Sequence, residues 1–564
     1  MTPAFFVINS ELNLLEDNQM RAMFLKRLFC LFLAIMMVFS VSGCSDKGAQ
    51  TPDETSGTPS NKENIVNIAV TDPVGTVNPL LMDATEIVKY SSSLQFLPLC
   101  DLNANLEFEP MLASSITTED NIHFTVKIDE NANWSDGTPV SADDLVFTVL
   151  RYASPLIANT SMLLYAFEGV GDDGWVEEGA TEISGVTALD AKTVQFTAKY
   201  PMSLTTFQNS YGRYILTVPK HILGEVPEAD LPSYAWFNAP TVVNGPYQLV
   251  SYDLNHYLSY TANKSYFKGE PKIEKLNIRV VAASQLLTGL TTGEIDFLPP
   301  TMAAVLQEDY ASIQNLSGVT ASFGKPVTHQ AMYINTQRVD ARIRQAILCA
   351  IDREMIVTQL LGGAGEVVDG FLSTASPFYS DAVVPVSFDP EKAKSLVAQA
   401  VADGWDADKE LILNINSGDT TFNHIAAVIQ QQLSDVGIKA KVTPMDLSSL
   451  LTAAGNHECD MFVVQYSYAP VDPYPDAAWI LTADGWTRYQ NDAIDEALAG
   501  TQLTSDISEI AACYETVDLA VQEDVPLISL YVIRALGAVS DRLINAAPDA
   551  YGSFNNVHLW EIAK

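Results

Sequence analysis

The spacing of apolar residues along this chain switches repeatedly between a period of two and a period near four. Ile122, Phe124, Val126 and Ile128 alternate with polar residues, which predicts a strand buried on one face. Asp136-Gly137 then supplies the positive φ of a tight turn, and Ser141 with Asp144 forms an S-x-x-D start for a helix from Ala142 to about Tyr152. Upstream, Ile65-Val66-Asn67-Ile68-Ala69-Val70 reads as a buried strand leading to a chain reversal at Val77-Asn78-Pro79-Leu80. From Asp340 the period lengthens: Ile343, Ile347 and Ile351 recur at every fourth position with Ala346 and Ala350 in the same stripe, and Gly362-Gly363 stops the segment.

Asp389-Pro390-Glu391 starts another helix with a capping side chain, a proline at the first position and an acid in the first turn. Leu396, Val397, Ala400 and Val401 face inward, and Gly404 ends it. A strand follows at 411–415, then a helix over 422–436 with Ile425, Val428, Ile429 and Leu433 on one face. Strands come next through Ile438, Ala440 and Val442 and at 459–466, then a helix through Ile510, Val517 and Val521, then a buried strand at 526–532. Strands alternating with helices predict a mainly parallel sheet whose binding loops sit at the carboxyl ends of its strands.

That rule draws attention to the stretch 460–479, where apolar Met461 to Val464 runs into a loop of tyrosines, aspartates and prolines. The prolines remove conformers that a ligand would otherwise have to freeze out, so such a loop suits binding. A proline-rich surface loop whose aromatics pack on the lobe beneath accounts for the same residues.

Length and charge narrow the picture further. A chain of 564 residues is too long for one core, so two or three domains are expected. With 31 basic and 69 acidic residues the net charge is -38, which repels phosphate backbones and excludes nucleic acid as the natural partner. Arg21, Lys26 and Arg27 precede an apolar run over 28–39 and the small residues Val41-Ser42-Gly43 before Cys44. That is a signal peptide, too short for a comfortable membrane span. Residues 1–19 fit no such pattern, so 20–43 is the expected signal, and the polar stretch 44–63 is expected to be a flexible tether. Cys100, Cys349, Cys459 and Cys513 lack any metal-ligand spacing and read as free thiols.

No motif for catalysis stands out. Gly169-Val170-Gly171-Asp172-Asp173-Gly174 fits G-x-G-x-x-G literally, but its two aspartates would repel a pyrophosphate, so it reads as an acidic surface loop. His123, His221, His256, His329, His424, His457 and His558 are scattered without a second ligand at metal spacing. No cofactor or metal site is expected, and nothing selects a carboxylate pair for glycoside chemistry.

Asn133 to Val149, with Glu109-Pro110-Met111-Leu112-Ala113, resembles the signature region of the peptide and nickel family of extracellular solute-binding proteins that serve ABC importers. The resemblance recurs at Val243-Asn244-Gly245-Pro246-Tyr247, Thr292-Gly293-Glu294-Ile295-Asp296, 340–353 and Asp524-Val525-Pro526-Leu527, in the family's order. It implies an α/β, two-lobed periplasmic-binding-protein (Venus-flytrap) fold with an additional N-terminal domain. Lobe one would take 64–96, 208–325 and 533–564, the extra domain 97–207, and lobe two 326–532. It also implies a lipoprotein whose Cys44 thiol carries the lipid, held as a monomer at the outer face of the bacterial cytoplasmic membrane. Such a protein delivers a peptide, uncut, to permease subunits driven by a cytoplasmic ATPase.

In peptide-binding members an aspartate after the 459–466 strand meets the ligand's α-amino group, which implies Asp472 here, with Asp476 second. Gln465 stands where relatives that hold short peptides can offer an arginine. Tyr466, Tyr468 and Tyr531 are candidate pocket walls, His329 lies where the family crosses between lobes, and Asn78 and Asn244 are candidates from lobe one. The same fold accommodates an oligosaccharide, nickel chelate or haem. The readings from other classes are a secreted surface hydrolase and a signalling receptor.

Overall fold

The computed structural model describes residues 64–83 and 85–563. The expectations for the signal segment, Cys44 and the tether lie outside the described residues. Two large sheets organise the chain. The first has seven strands in the order Val319–Phe323, Leu536–Ser540, Phe297–Leu298, Ile65–Val70, Lys275–Val280, Tyr257–Ala262, Tyr247–Asp253. The second has six, in the order Gly365–Glu366, Leu527–Ile533, Thr328–Ile334, Met461–Ser467, Glu410–Asn416, Lys439–Met445. A smaller four-stranded antiparallel sheet holds Ala113–Thr118, His123–Ile128, Thr193–Thr197 and Val186–Ala188.

Both large sheets are mixed, which corrects the expectation of mainly parallel pairing. Glu410–Asn416 runs parallel to Lys439–Met445 and to Met461–Ser467, because the helices Thr420–Asp435 and Leu447–Gly455 carry the chain back between them. Thr328–Ile334, however, is antiparallel to both its neighbours, Met461–Ser467 and Leu527–Ile533. In the first sheet Ile65–Val70 is parallel to both neighbours, while hairpin-linked Tyr247–Asp253 and Tyr257–Ala262 are antiparallel.

Packing explains the local patterns. On Thr328–Ile334, Met332 and Ile334 enter one apolar cluster with Ile343 and Ile347, while Ala331 and Tyr333 enter another with Phe462. A strand covered on both faces has no polar face to show, which is why 331–334 reads as a continuous apolar run. Ser141 accepts from the Asp144 N–H while the Asp144 carboxylate takes the Ser141 N–H, completing a capping box for Ala142–Tyr152.

The helix predicted from Asp340 departs from its pattern. It ends at Ala350; Ile351 is extended, and Asp352 caps a new turn by accepting from the Met355 N–H at 2.9 Å. The aspartate offers the backbone a cap, and the neighbouring Arg353 is held inward by the carbonyls of Val368 and Ser529.

The chain crosses between the two large sheets at 324–327 and again at 534–535. The crossings lie side by side, with the Gly324 N–H donating to the Ala535 carbonyl at 2.9 Å. No helix among the described residues is long and apolar enough to cross a membrane.

Candidate functional site

A cleft of about 960 Å³ lies over the two crossings. One wall is the irregular segment 300–307 that follows the Phe297–Leu298 strand, with Asp72, Glu86 and Tyr214. The other is built from Gln465, Tyr466 and Ser467 at the end of Met461–Ser467, from Asp419 and Thr421 at a helix start, and from Asp476. Lys325, Val327, Thr328 and Ala535 on or beside the crossings form its floor.

The strand end has an open edge. Met461–Ser467 pairs along its whole length with Thr328–Ile334, but its other side meets Glu410–Asn416 only from Met461 to Val463. The partner strand stops at Asn416 and turns into the Thr420–Asp435 helix. Beyond Val463, every second backbone N–H and C=O of the strand therefore points away from its one partner, on the side where Gln465, Tyr466 and Ser467 line the cleft.

The cleft's charges are unequal in their engagement. Asp476, in the first turn of Tyr474–Ile480, accepts from the Tyr466 hydroxyl at 2.7 Å, and burial pushes its carboxyl up to about 6. Asp419 caps its helix by accepting from the Phe422 N–H at 2.9 Å, and burial raises its pKa too. Arg213 is already bound: its Nε donates to Asp101 at 2.8 Å and its Nη1 to Asn209 at 3.1 Å. Asp101 also receives the buried Lys89 ammonium at 2.7 Å. Lys325 forms no ion pair among the described residues. Nor does any group of three or more His, Cys, Asp or Glu side chains among them stand together in a way that would hold a metal ion.

Of the residues singled out from sequence, Gln465, Tyr466, Asp476 and Tyr531 meet at this cleft. The rest do not line it. Asp472 is 3% exposed, accepting from the Thr206 hydroxyl at 2.8 Å and the Asn209 amide at 3.3 Å, and desolvation pushes its carboxyl up to about 7. It packs behind the wall rather than on it, so the acid that faces the cavity from this loop is Asp476. Tyr468 shares a hydrogen bond with Tyr333 at 2.7 Å and packs against the tilted ring of Phe371. His329 is buried against Ser529 at 2.9 Å, and desolvation lowers its pKa to about 3, so its ring is neutral.

Asn244 and Asn78 hold backbone instead. Asn244 accepts from the Leu97 N–H at 2.7 Å and donates to the Thr217 carbonyl at 3.4 Å. Asn78 accepts from the Leu80 N–H and donates to the Leu231 carbonyl, both at 3.0 Å. Sequence reasoning missed Lys325, Asp419 and the 300–307 wall. Asp419 carried a signal, an aspartate one residue before a helical stripe; the others become cleft residues only through the crossings between sheets.

The profile of the bacterial extracellular solute-binding proteins, family 5 Middle, matches residues 107–488. The chain is 26% identical over 576 residues to oligopeptide-binding protein AppA of Bacillus subtilis (strain 168), covering 95% of this chain and 98% of that one. The structure of AppA from Bacillus subtilis in complex with a nonapeptide superposes with a TM-score of 0.68 at 23% identity, over 89% of this chain and 99% of that one. The ABC transporter substrate binding protein CtaP of Listeria monocytogenes superposes with a TM-score of 0.75 at 23% identity, over 89% and 100% of the two chains.

Proposed function

Because the chain belongs to the bacterial extracellular solute-binding proteins, family 5, we propose that it is the substrate-binding component of an ABC importer and that its guest is a peptide. The observation that carries the peptide reading is the open edge of Met461–Ser467 on the cleft. A peptide laid along it completes the ladder with main-chain bonds that no side chain of the guest decides, while the cavity takes its side chains. At about 960 Å³ the space lies at the top of the ~300–1,000 Å³ range common to ligand pockets, which suits several residues rather than one amino acid. The likeness to an oligopeptide-binding protein over nearly the full length supports the same guest.

The acids assign one end. Asp476, half-buried and paired with no cation among the described residues, suits the guest's α-ammonium, which would restore its charge. The lobes would be 64–96 with 208–325 and 533–564, and 326–532, with 97–207 as the added domain. They would close over the guest about the crossings at 324–327 and 534–535, leaving it chemically intact for the permease. A lipid on Cys44 would keep this monomeric protein at the outer face of the membrane.

Native mass spectrometry of protein purified without denaturation tests the reading. A retained mass that fragments as a peptide, and that rebinds in calorimetry, is the expected result. A retained sugar, haem or metal chelate, or a peptide released in pieces, overturns it.

A further inference from the structure

A peptide buried between lobes brings a carboxylate as well as an ammonium, and a desolvated carboxylate needs a cation or a set of N–H donors. Among the described residues the cleft is lined by two cationic side chains, Arg213 and Lys325. Arg213 is 2% exposed and already held by Asp101, Asn209 and, at 3.7 Å, Glu86. Its Nη2 has no hydrogen-bond partner among the described residues, but its charge and that of Lys89 are already set against Asp101 and Glu86, which leaves less positive charge there for a guest carboxylate. Lys325 is partly exposed, makes no ion pair among the described residues, and interacts with Asp549 only at longer range.

Its backbone is fixed on both sides. The Gly324 N–H donates to the Ala535 carbonyl at 2.9 Å, and the Pro326 carbonyl accepts from the Ser373 hydroxyl at 2.6 Å. Just beyond, Thr328 and Ser467 share a hydroxyl hydrogen bond at 2.8 Å. The lysine thus stands on a tied segment between the two sheets, so its backbone is in place before the guest arrives. Arg534, on the neighbouring crossing, already pairs with Glu366 at 3.2 Å. The remaining cleft charges, Asp72, Glu86, Asp419 and Asp476, are all acids and would repel a carboxylate.

We propose that Lys325 is the cleft's carboxylate anchor and that it makes the protein select guests carrying a free carboxylate. This rests on the peptide reading above. It assigns the chemistry, a carboxylate, which either the C-terminus or an acidic side chain of the guest can supply.

The test uses three degenerate pentapeptide libraries scored by native mass spectrometry against full-length protein: free C-terminus without acidic side chains, the same library amidated, and the amidated library with one glutamate. Wild type is expected to retain the free acids roughly tenfold over the amides. K325Q should erase that preference and K325R restore it, which a general folding defect would not do. Recovery of binding by the glutamate library, lost again in K325Q, places the carboxylate on a side chain and upholds the anchor. Equal retention of acids and amides by wild type, or a preference that survives K325Q, overturns the role of Lys325 and leaves peptide capture standing. Failure of all three libraries to bind removes the peptide reading and this proposal with it.

Discussion

Replacing Asp472 with asparagine probes the buried acid behind the cleft wall. The wild-type carboxyl is 3% exposed and meets two donors, the Thr206 hydroxyl at 2.8 Å and the Asn209 amide at 3.3 Å, but no cation. Desolvation outweighs those bonds, and nearby Asp476 adds repulsion, so its pKa rises from 3.8 to about 7. For a carboxyl whose folded-state pKa lies above its unfolded value, ionisation opposes the fold. Its effect is absent below the unfolded pKa, and stability is lost as pH climbs from 3.8 to about 7.

Between pH 5 and pH 8 the wild type should therefore lose about 3 kcal/mol that the Asp472→Asn variant keeps, since about 1.4 kcal/mol attaches to each pH step below the folded pKa. Arg213 fixes the orientation of Asn209 by donating to its carbonyl oxygen at 3.1 Å. The introduced amide can keep both contacts, its oxygen accepting from the Asn209 N–H and its own N–H donating to the Thr206 hydroxyl, which accepts as well as donates. Denaturant unfolding of both proteins at pH 5 and pH 8, followed by fluorescence, gives the difference directly. Asp518, raised to about 7, titrates in both proteins and cancels, whereas Asp476 loses the repulsion of Asp472 in the variant, which adds to the difference in the same direction. Parallel pH profiles would refute the reasoning, because they would mean that the Asp472 carboxylate is as comfortable inside as in water.

Asp476→Ala should weaken peptides with a free amino terminus by about 2 to 5 kcal/mol and leave N-acetylated ones unchanged, as read by calorimetry. Equal losses on both would remove the ammonium from this acid. Asp101→Ala strands Lys89 and Arg213 as buried cations without their shared carboxylate, and should lower stability in denaturant by about 3 to 5 kcal/mol. Cys44→Ser should move the protein from the membrane to the soluble fraction and remove a lipid mass from the intact chain; a membrane-bound serine variant would defeat the anchor.

Local signals were legible in the sequence and tertiary ones were not. The capping box at Ser141 and Asp144 spans one turn, so its whole cause lies within four residues. The two-lobed α/β fold was readable because its family blocks keep their order along the chain. The split at Ile351 was not, since the apolar period continues through it and only the Asp352 cap, with the buried partners of Arg353, breaks the helix. The mainly parallel sheet failed for a related reason: alternation of strands and helices does not tell which strands become neighbours, and Thr328–Ile334 finds two antiparallel partners far along the chain.

The loop after Met461–Ser467 lines the cleft through Asp476, while Asp472, the acid that the family resemblance put first, is buried behind it. Asp472 lies just before the Tyr474–Ile480 helix, where the chain turns inward toward Thr206 and Asn209, residues more than 260 positions earlier in the chain. Asp476 lies in the first helical turn and looks outward to Tyr466. Four residues of spacing would keep two side chains on one face if the helix held both. Because it begins between them, one acid packs behind the wall and the other opens on the cavity, and both lose water while only Asp476 lines the cleft.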